Sequence, residues 1–246
     1  MSDFKETHWA DREFAKGYRD NADIFIVERW RMLSILQSFY RHFVKNESPK
    51  SILDLGCGDG IVTSALSAVD DSISATLVDG SNDMLAKARQ RLNGKIQASF
   101  VHASFQEMIR KDLLQGPFDF VASSLAIHHL TMQEKAALFE KTYRLLSRGG
   151  YFVNIDVVLA PTKRLEQWYL SLWKDWIDER VWDLGLAGGR FDGIIRQYKD
   201  EEENKPDRLG YQLDALRTIG FRDVDCYYQY GIFTMFGGRK QLRGQR

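Results

Sequence analysis

The stretch Ser51-Ile52-Leu53-Asp54-Leu55-Gly56-Cys57-Gly58-Asp59-Gly60 constrains this chain more than any other. A short apolar run leads directly into three glycines at alternate positions, and a helical pattern follows over 61–69. Such a run reads as a buried strand, and the glycines as a turn where backbone and ligand can approach closely. The same unit then recurs. Runs at 75–78, 98–101, 118–123 and 151–158 read as further strands, separated by helical patterns at 82–92, 106–114 and 133–146. Arg148-Gly149-Gly150 reads as the C-cap of the last of these. Strand and helix alternating at this length predict a parallel sheet covered by helices on both faces. Two final runs, 222–228 and 232–236, are too close together for a crossover helix and therefore predict an antiparallel hairpin.

Helical patterns flank this core. Residues 8–17 are weakly amphipathic, and 23–44 place Ile24, Val27, Trp30, Leu33, Leu36, Phe39 and Tyr40 at helical spacing until Asn46-Glu47-Ser48-Pro49 breaks the pattern. Residues 163–204 read as helical and carry Trp168, Trp173, Trp176 and Trp182; a last helix over 206–219 stops at Gly220. The expected plan is one domain over 1–246. It has a helical cover (1–48), a core (49–158), a helical insert (159–205), and a final helix with the strand hairpin (206–240).

Lys plus Arg and Asp plus Glu both number 34, which removes the broad basic footprint of a dedicated nucleic-acid binder. Cys57 and Cys226 are the two cysteines, too few for a disulfide framework. The first twenty residues are polar, unlike a signal peptide, and no apolar run nears the roughly 18 residues of a membrane span. The expectation is a cytoplasmic protein without nucleic-acid or membrane partners. The adjacent His128 and His129 do not by themselves converge on a metal, so no metal site is expected.

Within the glycine turn the spacing is G-x-G-x-G, which is neither the dinucleotide fingerprint nor a P-loop. Asp54 stands two residues before the first glycine, where a carboxylate can hold a bound ammonium group. Asp79 ends the second strand, 23 positions after Gly56, where a carboxylate reaches the ribose hydroxyls of a nucleoside lying across the strand ends.

From Pro49 to Val158 these residues resemble the class I S-adenosylmethionine-dependent methyltransferases. The resemblance implies a Rossmann-like α/β fold, doubly wound, with a seven-stranded mostly parallel sheet, a C-terminal antiparallel hairpin strand and helical caps. It implies S-adenosylmethionine as cofactor, S-adenosylhomocysteine as product, and a small-molecule methyl acceptor. Asp54 to Gly60 resembles the motif that cradles the cofactor's methionine, through Asp54, Gly56, Cys57 and Gly58. Asp79 matches the ribose-binding acid, with Gly80 and Met84 against ribose and adenine. Where the family carries an adenine-binding Asp, this chain has Ser104, and the neighbouring Phe105 offers a stacking face. Ser124, after the fourth strand, falls where the family touches the amino-acid end. Arg29 suits the methionine carboxylate. Tyr18, His128 and Tyr198 are candidates for the acceptor side, and no catalytic group is marked by the motifs. The layout of insert and aromatic hairpin is also similar to carboxy-S-adenosylmethionine synthases, which modify the cofactor and use an arginine in the insert. Tyr198 falls at that place here, with Arg190 and Arg196 nearby. A binding protein without enzymatic activity is the third alternative.

Overall fold

Helices α1 (Arg12–Asp20), α2 (Ala22–Phe25) and α3 (Arg29–Phe43) precede the sheet in the computed structural model, which describes residue 7 and residues 11–189 and 191–242, the side chains of Arg12, Phe14, Ala15 and Tyr18 excepted. The alternating units follow: β1 (Ser51–Leu55), α4 (Ile61–Ser67), β2 (Ser74–Asp79), α5 (Asn82–Leu92), β3 (Gln97–His102), α6 (Phe105–Arg110), β4 (Phe118–Ser124), α7 (Met132–Leu145) and β5 (Leu146–Val157). Then come α8 (Lys163–Asp183), α9 (Ile194–Asp200), α10 (Leu209–Ile219), β6 (Phe221–Tyr230) and β7 (Phe233–Lys240). The sheet order is β3-β2-β1-β4-β5-β7-β6. β1 to β5 pair in parallel, and β7 lies antiparallel to both β5 and β6. The expected seven-stranded architecture is present. The order reverses between β1 and β4, and a crevice opens outside the strand ends at such a point.

Two apolar clusters fill the two faces of the sheet. Ile52, Leu77 and Phe120 meet Leu36 of α3 and Leu66 of α4 on one face; Leu53, Leu55 and Val121 meet Leu138 and Phe139 of α7 on the other. Successive strand residues point to opposite faces. Asp54 therefore shares the face of Ile52 and emerges under the start of α4. No helix among the described residues is long and apolar enough to cross a membrane.

Several expected elements differ in extent. The 23–44 pattern is two helices, not one, because Glu28 takes a left-handed turn at φ 50°. Ile24 and Ile26 would lie about 200° apart on one helix, yet both are buried, so burial overrides periodicity. Residues 8–10 lie outside the described residues. Arg148-Gly149-Gly150 does not cap α7. Leu146 is already extended and pairs with Phe118, and the glycines lie inside β5 at a register shift. A Cβ at Gly150 would stand 2.9 Å from the Asp119 carbonyl, so β4 and β5 approach there only with glycine. α6 ends at Arg110, well before 114, because Lys111 is extended at φ −122°, ψ 151°. The insert is broken into α8 and α9, with Gly185 and Gly189 at positive φ between them. α10 starts at Leu209 because Arg208 bridges to Leu159 as extended chain.

Candidate functional site

All three loop glycines adopt positive φ, 62° at Gly56, 53° at Gly58 and 79° at Gly60, a region that other residues enter only under strain. Their surroundings differ. A Cβ on Gly56 would lie 2.5 Å from the Ala126 Cβ and 3.0 Å from the Phe105 ring, and one on Gly60 would lie 3.1 Å from the Ala88 Cβ. A Cβ on Gly58 would meet nothing within 4 Å. The outer glycines let protein close on the loop, whereas the middle one faces an open cleft.

Two carboxylates frame that cleft. Asp79 accepts the Gly58 N–H at one oxygen and the Ser81 N–H at the other, both at 2.8 Å, which ties the loop to the end of β2. Burial pushes its carboxyl upward, against the pull of these two amides. Asp54 is 1% exposed. One of its oxygens accepts the Thr63 hydroxyl at 2.6 Å and the Thr63 N–H at 3.2 Å. Its Oδ1 is buried without a hydrogen-bond partner. Burial first, with Asp79 and Asp59 adding repulsion against the two Thr63 bonds, pushes the Asp54 carboxyl up to about 7. A buried carboxylate with an open oxygen is a site waiting for a cation.

Every residue expected from the sequence to hold the cofactor lines this cleft of about 190 Å³. Arg29 opens α3, and its Nη1 donates to Asp23 at 2.8 Å. Met84 lies on the first turn of α5 below the Ser81 cap. Gly80 offers its carbonyl to the His102 ring at 2.8 Å. Ser104 lines the cleft, but its hydroxyl caps α6, accepting the Glu107 N–H at 3.2 Å within a capping box. The same hydroxyl lies 3.4 Å from the Glu107 carboxylate, to which it donates. Cys57 is held by its N–H to the Val78 carbonyl at 3.0 Å, and burial pushes its thiol well above the ordinary value. An inert thiol suits a packing residue.

His128 and Tyr198 line a second cavity, of about 390 Å³, whose walls share Ile26, Leu125, His129 and Glu203 with the cleft. Tyr18 belongs to α1, but its side chain lies outside the described residues, as does Arg190 altogether. The His128 Nδ1 stands 2.6 Å from Asp156 Oδ1, in a carboxylate that also takes the Val157 N–H at 2.9 Å. An ionised carboxylate only accepts, so the ring donates from Nδ1, and in its neutral form it presents Nε2 as an acceptor. Burial holds His129 well below the ordinary histidine value, so its ring is neutral. Tyr198 stands edge-on to Trp173 at 5.3 Å, and its buried hydroxyl has no hydrogen-bond partner. The four insert tryptophans do not form one cage. Trp173 faces the cavity and donates Nε1 to the Phe25 carbonyl at 2.7 Å, whereas Trp168 and Trp182 are exposed.

Sequence reading missed Thr63, Leu125 and Asp156. Leu125 sits at φ 51° where both cavities meet, a strained backbone for a side chain of its kind. Asp156 lies inside a buried strand and carries no local signature of its partner 28 residues away.

Residues 52–150 match the family model described as a methyltransferase domain. A carboxy-S-adenosyl-L-methionine synthase of Chromohalobacter salexigens is 27% identical over 195 residues, covering 74% of this chain and 66% of its own length. Its counterpart from Methylococcus capsulatus is 28% identical over 192 residues, 74% of each. Among solved structures, magnesium protoporphyrin IX methyltransferase from Synechocystis PCC 6803 with bound SAH superposes at a TM-score of 0.65 and 14% identity, over 95% of this chain and 97% of that one. The chain thus spans slightly less than two thirds of the Chromohalobacter relative.

Proposed function

We propose that this chain, whose residues 52–150 match the methyltransferase domain family, binds S-adenosylmethionine in the cleft and passes its methyl group to a small-molecule acceptor in the adjoining cavity. The single observation that carries the reading is Asp54 Oδ1, buried and unpartnered beside the open face of Gly58. An α-ammonium group supplies the missing charge, and the loop backbone has room for the ligand to lie against it. Asp79 is positioned for the ribose, with its two amide bonds holding the carboxylate in place. Arg29 is the candidate for the cofactor's carboxylate, and Met84 and Phe105 for packing on ribose and base. Ser124 and Gly80 complete the walls.

The cofactor supplies an activated methyl on a sulfonium, leaving S-adenosylhomocysteine as product. The chain's own residues then have three tasks. They must align an acceptor in line with that methyl, keep water out, and take up a proton where the acceptor has one to lose. The shared wall at Leu125 and His129 sets two cavities side by side, which suits a displacement between two bound molecules. Balanced charge further favours a small diffusible acceptor in the cytoplasm over a polyanion.

The printed names of the curated relatives bring in a second reading, carboxy-S-adenosylmethionine synthesis. A carboxylated sulfonium adds a negative charge that is costly to bury without a cation. Among the described residues the second cavity has no Lys or Arg in its walls and Arg196 is exposed, whereas Arg19, Arg29 and Lys205 line the cleft. A carboxylate directed from the sulfonium into the second cavity would therefore lack a cation, which favours the ordinary cofactor there.

Titration calorimetry tests the assignment. S-Adenosylmethionine and S-adenosylhomocysteine should bind, NAD should bind poorly, and the carboxylated cofactor should compete less well than the ordinary one. Equal affinity for NAD overturns the cofactor assignment. Preference for the carboxylated form overturns methyl transfer.

A further inference from the structure

We propose that the second cavity takes an uncharged aromatic acceptor through a ring hydroxyl, and that His128 removes the hydroxyl proton. The proposal rests on the cofactor reading given above.

Three features of the cavity lead there. Its walls are aromatic: Phe25 and Phe191 meet edge-on at 5.2 Å, and Trp173 meets Phe233 at 5.5 Å and Tyr198 at 5.3 Å. Ring edges and faces at these separations accept a further flat ring. Its charged wall residues are Glu13, Glu201 and Glu203, with no Lys or Arg among the described residues, and the basic groups nearby, Arg19, Arg29 and Lys205, line the cofactor cleft instead. An acceptor with its own carboxylate or phosphate would be repelled. Finally, two of the residues that line it, Tyr198 and His128, each have a polar atom not engaged by the hydrogen bonds given above. The Tyr198 hydroxyl is buried without a partner, and His128 uses Nδ1 on Asp156 and leaves Nε2 as an acceptor.

A histidine backed by a buried carboxylate discriminates between nucleophiles. A neutral amine attacks a methyl sulfonium with its own lone pair and needs no base beforehand. A neutral hydroxyl is a weak nucleophile until its proton is drawn off, and a positioned imidazole performs that task. In the transfer a carbon–oxygen bond forms at the acceptor oxygen and the methyl–sulfur bond breaks. The electron pair passes to sulfur, and the hydroxyl proton goes to His128 Nε2. Tyr198 is placed to hydrogen-bond the acceptor and set its orientation.

The test uses the full chain with 2-naphthol, 6-hydroxy-2-naphthoate and 2-naphthylamine as probes. Binding is read by calorimetry with and without saturating S-adenosylhomocysteine, and transfer by product mass. The naphthol should bind at least about tenfold more tightly than its carboxylated analogue, as like-charge repulsion requires. His128→Gln should keep S-adenosylhomocysteine and naphthol affinities within about threefold while kcat for naphthol falls by about 10²–10⁴ at similar KM, the range expected for a lost base. Tyr198→Phe should do the reverse, raising KM with little change in kcat. Retained ligand binding shows that each variant is folded. The proposal is overturned by tighter binding of the carboxylate or by a naphthol that does not bind. It is equally overturned by bound naphthol that is not methylated, faster transfer to the amine, or an unchanged kcat in His128→Gln. Failure of S-adenosylhomocysteine to bind is read separately and overturns the cofactor assignment instead.

Discussion

Replacing Asp54 with Asn should make the empty protein more stable and the loaded protein weaker. The Asp54 carboxyl stands at about 7 in the folded chain against an ordinary 3.8. That difference corresponds to about 4 kcal/mol of penalty for burying the ionised group. The folded state holds this proton more tightly than the unfolded chain, so stability falls as pH rises from 3.8 to about 7 and is level above. Asn keeps an oxygen for the two Thr63 bonds and carries no charge. Its advantage over the native protein should therefore be greatest above pH 7, at most about 4 kcal/mol, and should shrink to about 2 kcal/mol at pH 5. Denaturant unfolding of both proteins at pH 8 and pH 5 measures this. Binding should move the opposite way. An ammonium beside Oδ1 favours the ionised carboxylate, so the native affinity for S-adenosylhomocysteine should fall about tenfold per pH unit below 7. The variant should lack that dependence and lose about 1.5–3 kcal/mol, the usual worth of a hydrogen bond to a charged group. Calorimetry across pH 6–8 reads both effects. A variant that is no more stable at pH 8 and binds as tightly as the native protein refutes the reasoning.

Asp79→Asn should weaken S-adenosylhomocysteine binding by about 1.5–3 kcal/mol through the lost charge, and loosen the loop because Gly58 and Ser81 both donate to this carboxylate; unchanged calorimetry would remove Asp79 from the ribose. Gly58→Ala meets open space and should cost about 1 kcal/mol of stability from its positive φ, whereas Gly56→Ala also drives a Cβ to 2.5 Å from Ala126 and should cost clearly more in thermal unfolding. Hydrogen exchange of α2, α8 and α9 should slow when S-adenosylhomocysteine is added, since α2 borders both cavities and α8 and α9 wall the adjoining one; equal protection in both states would make them fixed walls.

How much of this was legible beforehand follows from the range of the forces involved. A strand buried on both faces must be a short apolar run, a covering helix must repeat its apolar residues every three to four positions, and a backbone at φ 53–79° favours glycine. These are local demands, so SILDL, the Gly56–Gly60 turn, Asp79 at the end of β2 and the strand–helix order could all be read from the chain. Local signals failed where packing overruled them. Gly149 and Gly150 serve a close approach of β4 to β5 instead of a helix end, and Ile26 is buried by a turn that breaks the expected helix. The acceptor side was illegible for a stronger reason. His128 meets Asp156 only because β4 and β5 pair, and Tyr198 reaches the same cavity only because the insert folds back over Phe25 through Trp173. Such pairings join residues tens of positions apart whose neighbours in sequence say nothing of them, and tertiary packing alone decides them.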